Sequence, residues 1–149
     1  MVKAKEFWSY LCDVLNYRFF AGVPCKELTP LYNKMKSDFM HYVPCSNETI
    51  ALGLASGVWM SGIKGGVLLH VSEIYTILKY YNDFNNVYNV PGLMLVGYND
   101  DDQLKKMSFC KIAYRVVTDD YEKQLKFITH KIETKQIPCA LMIKEGVLK

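Results

Sequence analysis

Residues 41–59 read HYVPCSNETIALGLASGVW. The run through Tyr42 and Val43, closed by Pro44 and Cys45, has the composition of a short strand. One acid, Glu48, sits at the hinge. After it comes a segment built almost wholly from small and apolar residues, read as a helix over 48–62 that stops near Gly62 in the glycine-rich stretch GIKGG. This is a strand–turn–helix unit, and the chain repeats it in both directions.

Toward the amino end, KEFWSYLCDVLNY (5–17) sets Phe7, Leu11, Val14 and Leu15 on one helical face. RFFAGVP (18–24) is an apolar run ended by Pro24, hence a strand. CKELTPLYNKMK (25–36) spaces Leu28, Leu31 and Met35 for one buried stripe, with Pro30 near the start of the helix or dividing it. The strand of the opening unit begins at Phe39 in this reading. Toward the carboxyl end, VLLHVS (67–72) is a strand, 73–84 a helix, PGLMLVGY (91–98) a strand and KIAYRVVT (111–118) a fifth. Residues 119–136 form a helix begun by Asp119 or Asp120, and PCALMIK (138–144) is the sixth strand. The polar stretches 81–92 and 97–106 read as loops, with Asp100–Asp102 a solvated acidic run.

Strands and helices alternate, and the strands are continuously apolar rather than alternating. That pattern belongs to strands covered on both faces. It predicts an α/β fold: a doubly wound, mainly parallel six-stranded sheet with helices on both faces, in a single domain spanning 1–149. Open sheets of this kind bind ligands beyond the carboxyl ends of their strands. Val23–Cys25, Cys45–Glu48, His70–Glu73 and Gly97–Asn99 all fall on that edge.

Half of the 149 residues are hydrophobic and 22% are charged, with a net charge of +3, which fits an ordinary globular protein. The lysines are scattered, giving neither a nucleic-acid stripe nor a membrane-binding face. No apolar run approaches the roughly 20 residues that span a bilayer, and MVKAKEFWSYL lacks the features of a signal peptide. A cytoplasmic protein is expected. Cys12, Cys25, Cys45, Cys110 and Cys139 form no CxxC pair and no zinc-ligand cluster, so reduced thiols, most of them buried, are expected and no metal is assigned to this chain. No GxGxxG follows the first strand, and no P-loop, GxSxG or HExxH is present. Among the histidines, His41 reads as a core residue and His130 as surface, whereas His70 ends a strand on the ligand edge.

The residues alone leave Glu48 with two readings. It is a first-turn acid favoured by the helix dipole, with Ser46 or Asn47 as cap, or a partly desolvated carboxyl suited to sharing a proton.

Four stretches carry a resemblance: FFAGVPCKELTPL (19–31), NETIALGLASG (47–57), NVPGLMLVGY (89–98) and IPCALMIKEGVL (137–148). In this order and spacing they are similar to the pyrimidine-binding domain of thiamine-diphosphate-dependent 3-phosphonopyruvate and sulfopyruvate decarboxylases. The resemblance implies that Glu48 is catalytic, sharing a proton with N1′ of the cofactor's aminopyrimidine ring and so activating the cofactor toward the ketone of a 2-oxo acid. It implies cofactor contacts from Glu48, Asn47, Ser72 and His70, and a substrate-side turn of Gly22, Val23, Pro24 and Cys25, with Cys25 lining the pocket without being a nucleophile. It implies that Ala51, Gly53, Ala55 and Gly57 let the helix after Glu48 pack tightly as interface rather than core. Thiamine diphosphate and Mg²⁺ are normally held by a second domain with a GDG motif, which this chain lacks. A separate diphosphate-binding (beta) subunit is therefore implied, in an alpha2beta2 or larger heteromer that releases carbon dioxide and an aldehyde.

Two departures bear on the substrate. The family's QNSG-like turn is here HVSE (70–73), retaining only Ser72, and an expected Arg-Gly after the fourth strand is here YNDDD (98–102). Lys26 is the only cation in the aligned turns. The departures favour an alternative in which the chain is a non-catalytic assembly or regulatory protein that keeps the fold. A flavodoxin-like module binding a small ligand explains the element order but not the setting of Glu48.

Overall fold

The computed structural model describes residues 1–35 and 41–149, without the side chain of His41. The expectations for Lys36, Phe39, Met40 and the His41 side chain lie outside the described residues. The elements are α1 (Ala4–Ser9, continued by a π-helical turn at Tyr10–Val14), β1 (Tyr17–Gly22), a 3₁₀ turn (Lys26–Leu28) leading into α2 (Thr29–Met35), and β2 (His41–Pro44). Then come α3 (Glu48–Met60), β3 (Lys64–His70), a 3₁₀ turn (Val71–Glu73), α4 (Ile74–Tyr80) and, after a π-helical turn (Tyr81–Asn85), α5 (Asn86–Tyr88). The chain closes with β4 (Gly92–Tyr98), a 3₁₀ turn (Asp101–Leu104), α6 (Lys105–Phe109), β5 (Tyr114–Val116), α7 (Tyr121–Lys135) and β6 (Pro138–Lys144).

All six strands run parallel in the order β2-β1-β3-β4-β6-β5. The expected α/β architecture is the observed one. Successive strand residues serve opposite faces. Leu68, Leu95 and Leu141 are register partners and join the core formed with Phe7, Leu31 and Ile128 from α1, α2 and α7. The next row, Ala21, Val67, Met94 and Ala140, belongs to the opposite core with Ala51, Ala55, Ile74 and Met107 from α3, α4 and α6. The inner strands β3, β4 and β6 are buried on both faces, which is why their sequences are almost wholly apolar, whereas the edge strands β2 and β5 are partly exposed. No helix among the described residues is long and apolar enough to cross a membrane.

The structure corrects several boundaries. Val14, expected on the buried face with Leu11, is 58% exposed. The π turn inserts a residue into the helical cycle and rotates it away from Phe7 and Leu11. Tyr17 begins β1 instead of ending the first helix, and Val23 and Pro24 lie beyond the strand. β3 starts at Lys64, and Val71 and Ser72, expected to end the strand, form a helical turn with Glu73. The expected acidic loop is a 3₁₀ turn closed by a capping box between Asp100 and Gln103, continuing as α6. The helix after Glu48 is not simply an interface element. Ala51, Leu52, Ala55 and Ser56 are buried against the sheet, while Ile50, Leu54 and Met60 stay exposed on the outer face. Gly53 packs beneath the Tyr80 hydroxyl, whereas Gly57 has open space around it.

Residues 81–92, read as a loop, are helical to Tyr88. Two features hold them. Tyr80, Phe84 and Tyr88 stack at i, i+4, i+8 with ring centroids 5.0 and 5.5 Å apart. Asn85 is fully buried, and its amide donates to Ser56 Oγ at 2.9 Å and to the Val90 carbonyl at 3.0 Å. Asn85→Ala takes this donor from Ser56 Oγ, which keeps the Tyr80 hydroxyl, and from the Val90 carbonyl, and it opens a small cavity. Chemical denaturation should show a loss of about 2–3 kcal/mol. A change below about 0.5 kcal/mol would mean that the polar clamp is not what holds this turn.

Candidate functional site

Five strands deliver side chains or turns to one edge. β1 ends at Gly22, between Pro44 of β2 and Leu68 of β3. Beyond it the chain leaves the sheet through Val23 and Pro24, and the Val23 carbonyl accepts the Tyr32 hydroxyl at 3.2 Å. The Lys26–Leu28 turn then folds across the end of β4. A Cβ on Gly97 would lie 2.8 Å from Glu27 Cβ and 3.3 Å from Cys25 Sγ, so glycine at 97 is what allows this turn to close over the sheet. Glu27 is thereby buried. It faces His70, with 3.9 Å between its carboxylate and Nε2.

His70 ends β3 and is tied on both sides. Its Nδ1 is 2.8 Å from Ser72 Oγ and also accepts the Ser72 backbone N–H at 3.2 Å. Its Nε2 is 2.9 Å from Asn99 Oδ1. The Asn99 amide donates to Glu145 Oε2 at 2.8 Å, and the other oxygen of Glu145 pairs with Lys26 Nζ at 2.5 Å. Gln103 Oε1 accepts the backbone N–H of Asn99, fixing the start of that turn. The network crosses from the turn after β1 to the residue after β6.

Burial pushes the Cys25 thiol up to about 11. The thiol is therefore protonated near neutral pH, which disfavours a nucleophilic role. Native-state alkylation followed by mass spectrometry should find Cys25 reacting far more slowly than in the denatured chain. Equal rates would contradict that burial. Lys26 and Glu145 hold each other charged, the lysine shifted up and the carboxylate down by their hydrogen bond. Lys144 is likewise paired with Asp101 at 3.0 Å. Lys26 and Lys144 are therefore each engaged by a carboxylate.

Glu48 begins α3 on the same edge. Asn47 is its N-cap, accepting the Ile50 N–H at 2.9 Å. Glu48 is only 9% exposed, yet its carboxyl makes no hydrogen bond or ion pair among the described residues. Glu48 and Asn47 have no such link to the His70 network either. They follow β2, separated from β3 by β1, or about 10 Å at ordinary strand spacing. The sequence-derived site thus divides in two: Cys25, His70 and Ser72 in or against one network, and Glu48 with its cap at the edge of a second surface. Gly22 stays in the sheet. Among the described residues, no group of three or more His, Cys, Asp or Glu side chains is placed to hold a metal ion.

Glu27, Asn99 and Glu145 were not among the expected site residues. The strand-end rule marks Asn99 and would have reached Glu145, which directly follows β6. Glu27 had no signal, because its position depends on how the turn folds across Gly97.

The fold and its edge define a class: a parallel, doubly wound α/β protein with polar groups gathered beyond the strand carboxyl ends. Comparison with known proteins narrows this. No family model matches the chain. Sulfopyruvate decarboxylase subunit alpha from Methanococcus maripaludis is 25% identical over 121 residues, covering 80% of this chain and 65% of that protein. A phosphonopyruvate decarboxylase from Streptomyces viridochromogenes is 22% identical over 146 residues, covering 86% of this chain and 37% of that protein. The chain thus spans less than two thirds of either relative. The similarity read from the four motifs is to proteins of these same names. Among solved structures, 2-oxoglutarate:ferredoxin oxidoreductase from Magnetococcus marinus shares the fold over 98% of this chain and 29% of its own, with a TM-score of 0.73 and 11% identity.

Proposed function

We propose that this chain is the pyrimidine-binding subunit of a split thiamine-diphosphate-dependent 2-oxo acid decarboxylase, most like the phosphonopyruvate and sulfopyruvate enzymes. The observation that carries the reading is Glu48, a residue 9% exposed whose carboxyl oxygens have no protein partner among the described residues and are not fully buried, so they reach the open strand edge. A carboxyl held there with its oxygens unengaged can take a partner from outside the chain. A pyrimidine ring nitrogen that shares its proton is such a partner, so the residues present fit the cofactor. Glu48 would hold that proton, while Asn47 caps α3 and keeps the carboxyl at the strand edge. The bound cofactor would supply the electron-accepting ring for loss of carbon dioxide. His70 and Ser72 would line the opposite side, and Val23–Cys25 with Glu27 would form the substrate-side wall.

The donor set does not fit Mg²⁺, which needs several oxygen ligands. In this reading the metal and the diphosphate belong to a separate beta subunit carrying the GDG motif, in an alpha2beta2 or larger assembly. The outward residues Ile50, Leu54 and Met60 of α3 offer an apolar face for that subunit.

The test is to purify the chain with candidate diphosphate-binding subunits and assay carbon dioxide release from 3-phosphonopyruvate, 3-sulfopyruvate and pyruvate. Cofactor-dependent release from any of them supports the reading. A second reading, a non-catalytic partner that keeps the fold, is favoured by one observation: the strand-edge lysines Lys26 and Lys144 are already paired with Glu145 and Asp101 and would have to leave those partners to meet an acidic tail. A stable, cofactor-loaded complex that releases no carbon dioxide from any 2-oxo acid would select it.

A further inference from the structure

The network around His70 determines where its protons sit. A carboxylate only accepts hydrogen bonds, so the Asn99 group 2.8 Å from Glu145 is the NH₂. Asn99 therefore turns its carbonyl oxygen to His70, and Nε2 must carry the hydrogen across that 2.9 Å contact. The other side requires the same state independently. The Ser72 backbone N–H, which only donates, points at Nδ1 from 3.2 Å, so Nδ1 must offer its lone pair. Lys26, paired with the second oxygen of Glu145, keeps that carboxylate charged and turned toward Asn99. The remaining acids facing the pair are Glu27, 3.9 Å from Nε2, and Glu73, which accepts the Thr76 hydroxyl at 2.9 Å and is, at 3.5 Å, a longer competing acceptor for the Ser72 hydroxyl that Nδ1 meets at 2.8 Å.

We propose that Asn99, Glu145 and Lys26 are positioning residues that hold His70 as its neutral Nε2–H tautomer, making Nδ1 a fixed proton acceptor for the Ser72 hydroxyl at the ligand edge. Ser72 is exposed, and its Oγ lies 2.8 Å from Nδ1. The couple takes up one proton from a ligand hydroxyl: Ser72 Oγ accepts it while passing its own to Nδ1. The resulting imidazolium keeps its Nε2–H bond to Asn99, with Glu27 as the nearest counter-charge, and returns the proton by the reverse transfer. The ligand class follows: a small molecule carrying or developing a hydroxyl next to Ser72. The tautomer itself does not depend on the proposed decarboxylation. The use made of the couple rests on that reading.

Long-range ¹H–¹⁵N spectra of the labelled chain at pH 8, with His70 assigned by His70→Gln, read the tautomer directly. The expected result is a pyridine-like Nδ1 and a pyrrole-like Nε2. Asn99→Leu should convert this to a mixture, and Glu145→Leu, which frees the Asn99 amide to rotate, should shift it the same way, with the amide fingerprint confirming that each variant is folded. A wild-type Nδ1–H tautomer, or a spectrum unmoved in both variants, would overturn the proposal. In the reconstituted complex, Asn99→Leu should move the acid limb of the pH–turnover profile, and an unmoved limb would overturn the proton-transfer role. If the wild-type complex decarboxylates nothing, the functional reading fails while the tautomer result stands.

Discussion

Glu48→Gln is expected to reduce carbon dioxide release by the reconstituted complex by at least about a hundredfold, the scale of losing a positioned acid–base group. The chain's own stability should fall by no more than about 0.3–1 kcal/mol, the helix-dipole interaction that the charge loses. In the wild type the Glu48 carboxyl has no protein partner among the described residues and its oxygens are not fully buried, so the glutamine forfeits only that interaction. If Glu48 served only the helix dipole, the variant would lose the same small amount of stability and turn over normally. Turnover and thermal melts of the same preparations separate a loss of chemistry from a loss of fold, and unchanged turnover would remove Glu48 from the chemistry.

The largest structural effect is expected at Gly22. A Cβ there would lie 2.4 Å from the Leu68 carbonyl oxygen and 3.1 Å from its Cβ. The obstacle is backbone of the adjacent strand, which cannot rotate aside as a flexible side chain can. Gly22→Ala must push β1 from β3 at the centre of the sheet, breaking the pairing of Ala21 with Val67 and Gly22 with Leu68. A loss above about 4 kcal/mol is expected, a large share of the roughly 5–15 kcal/mol that stabilises a domain. Gly57→Ala is the control. It lies within α3 with open space around it, so it should gain about 0.5–1 kcal/mol. Circular dichroism melts of the pair decide it, and a Gly22→Ala chain that melts like wild type would show that the strands can part at little cost.

Gly22 also shows how a motif can be read correctly and understood differently. In the resemblance it belongs to a substrate-side turn. In the structure it is still inside β1, and its missing side chain has a packing reason of its own. Asn47 is similar: expected against the cofactor, it is engaged as the N-cap of α3. Glu48 keeps both of its readings: it stands in the first turn of α3 with Asn47 as the cap, as the helix-dipole reading expected, and its carboxyl has no protein partner among the described residues.

What could be read from the chain followed from local physics. Doubly buried strands leave an unbroken apolar record, so the inner strands and the parallel arrangement were legible in runs such as Leu93–Val96 and Ala140–Ile143. Helix starts and the ligand edge followed from the same alternation. The π turns were not legible, because a one-residue shift leaves no compositional mark; Val14 and the 81–88 helix were misread for that reason. Nor was the network of Lys26, Glu145, Asn99 and His70. Its members lie 29 to 119 positions apart (Asn99 − His70 = 29; Glu145 − Lys26 = 119), and they meet only because β3, β4 and β6 are neighbours in the sheet and Gly97 lets the turn after β1 cross over them. The sequence by itself determined the layers, the edge and the candidate acid. Tertiary structure alone decided which side chains meet there, because strand order, and not strand identity, sets who stands beside whom.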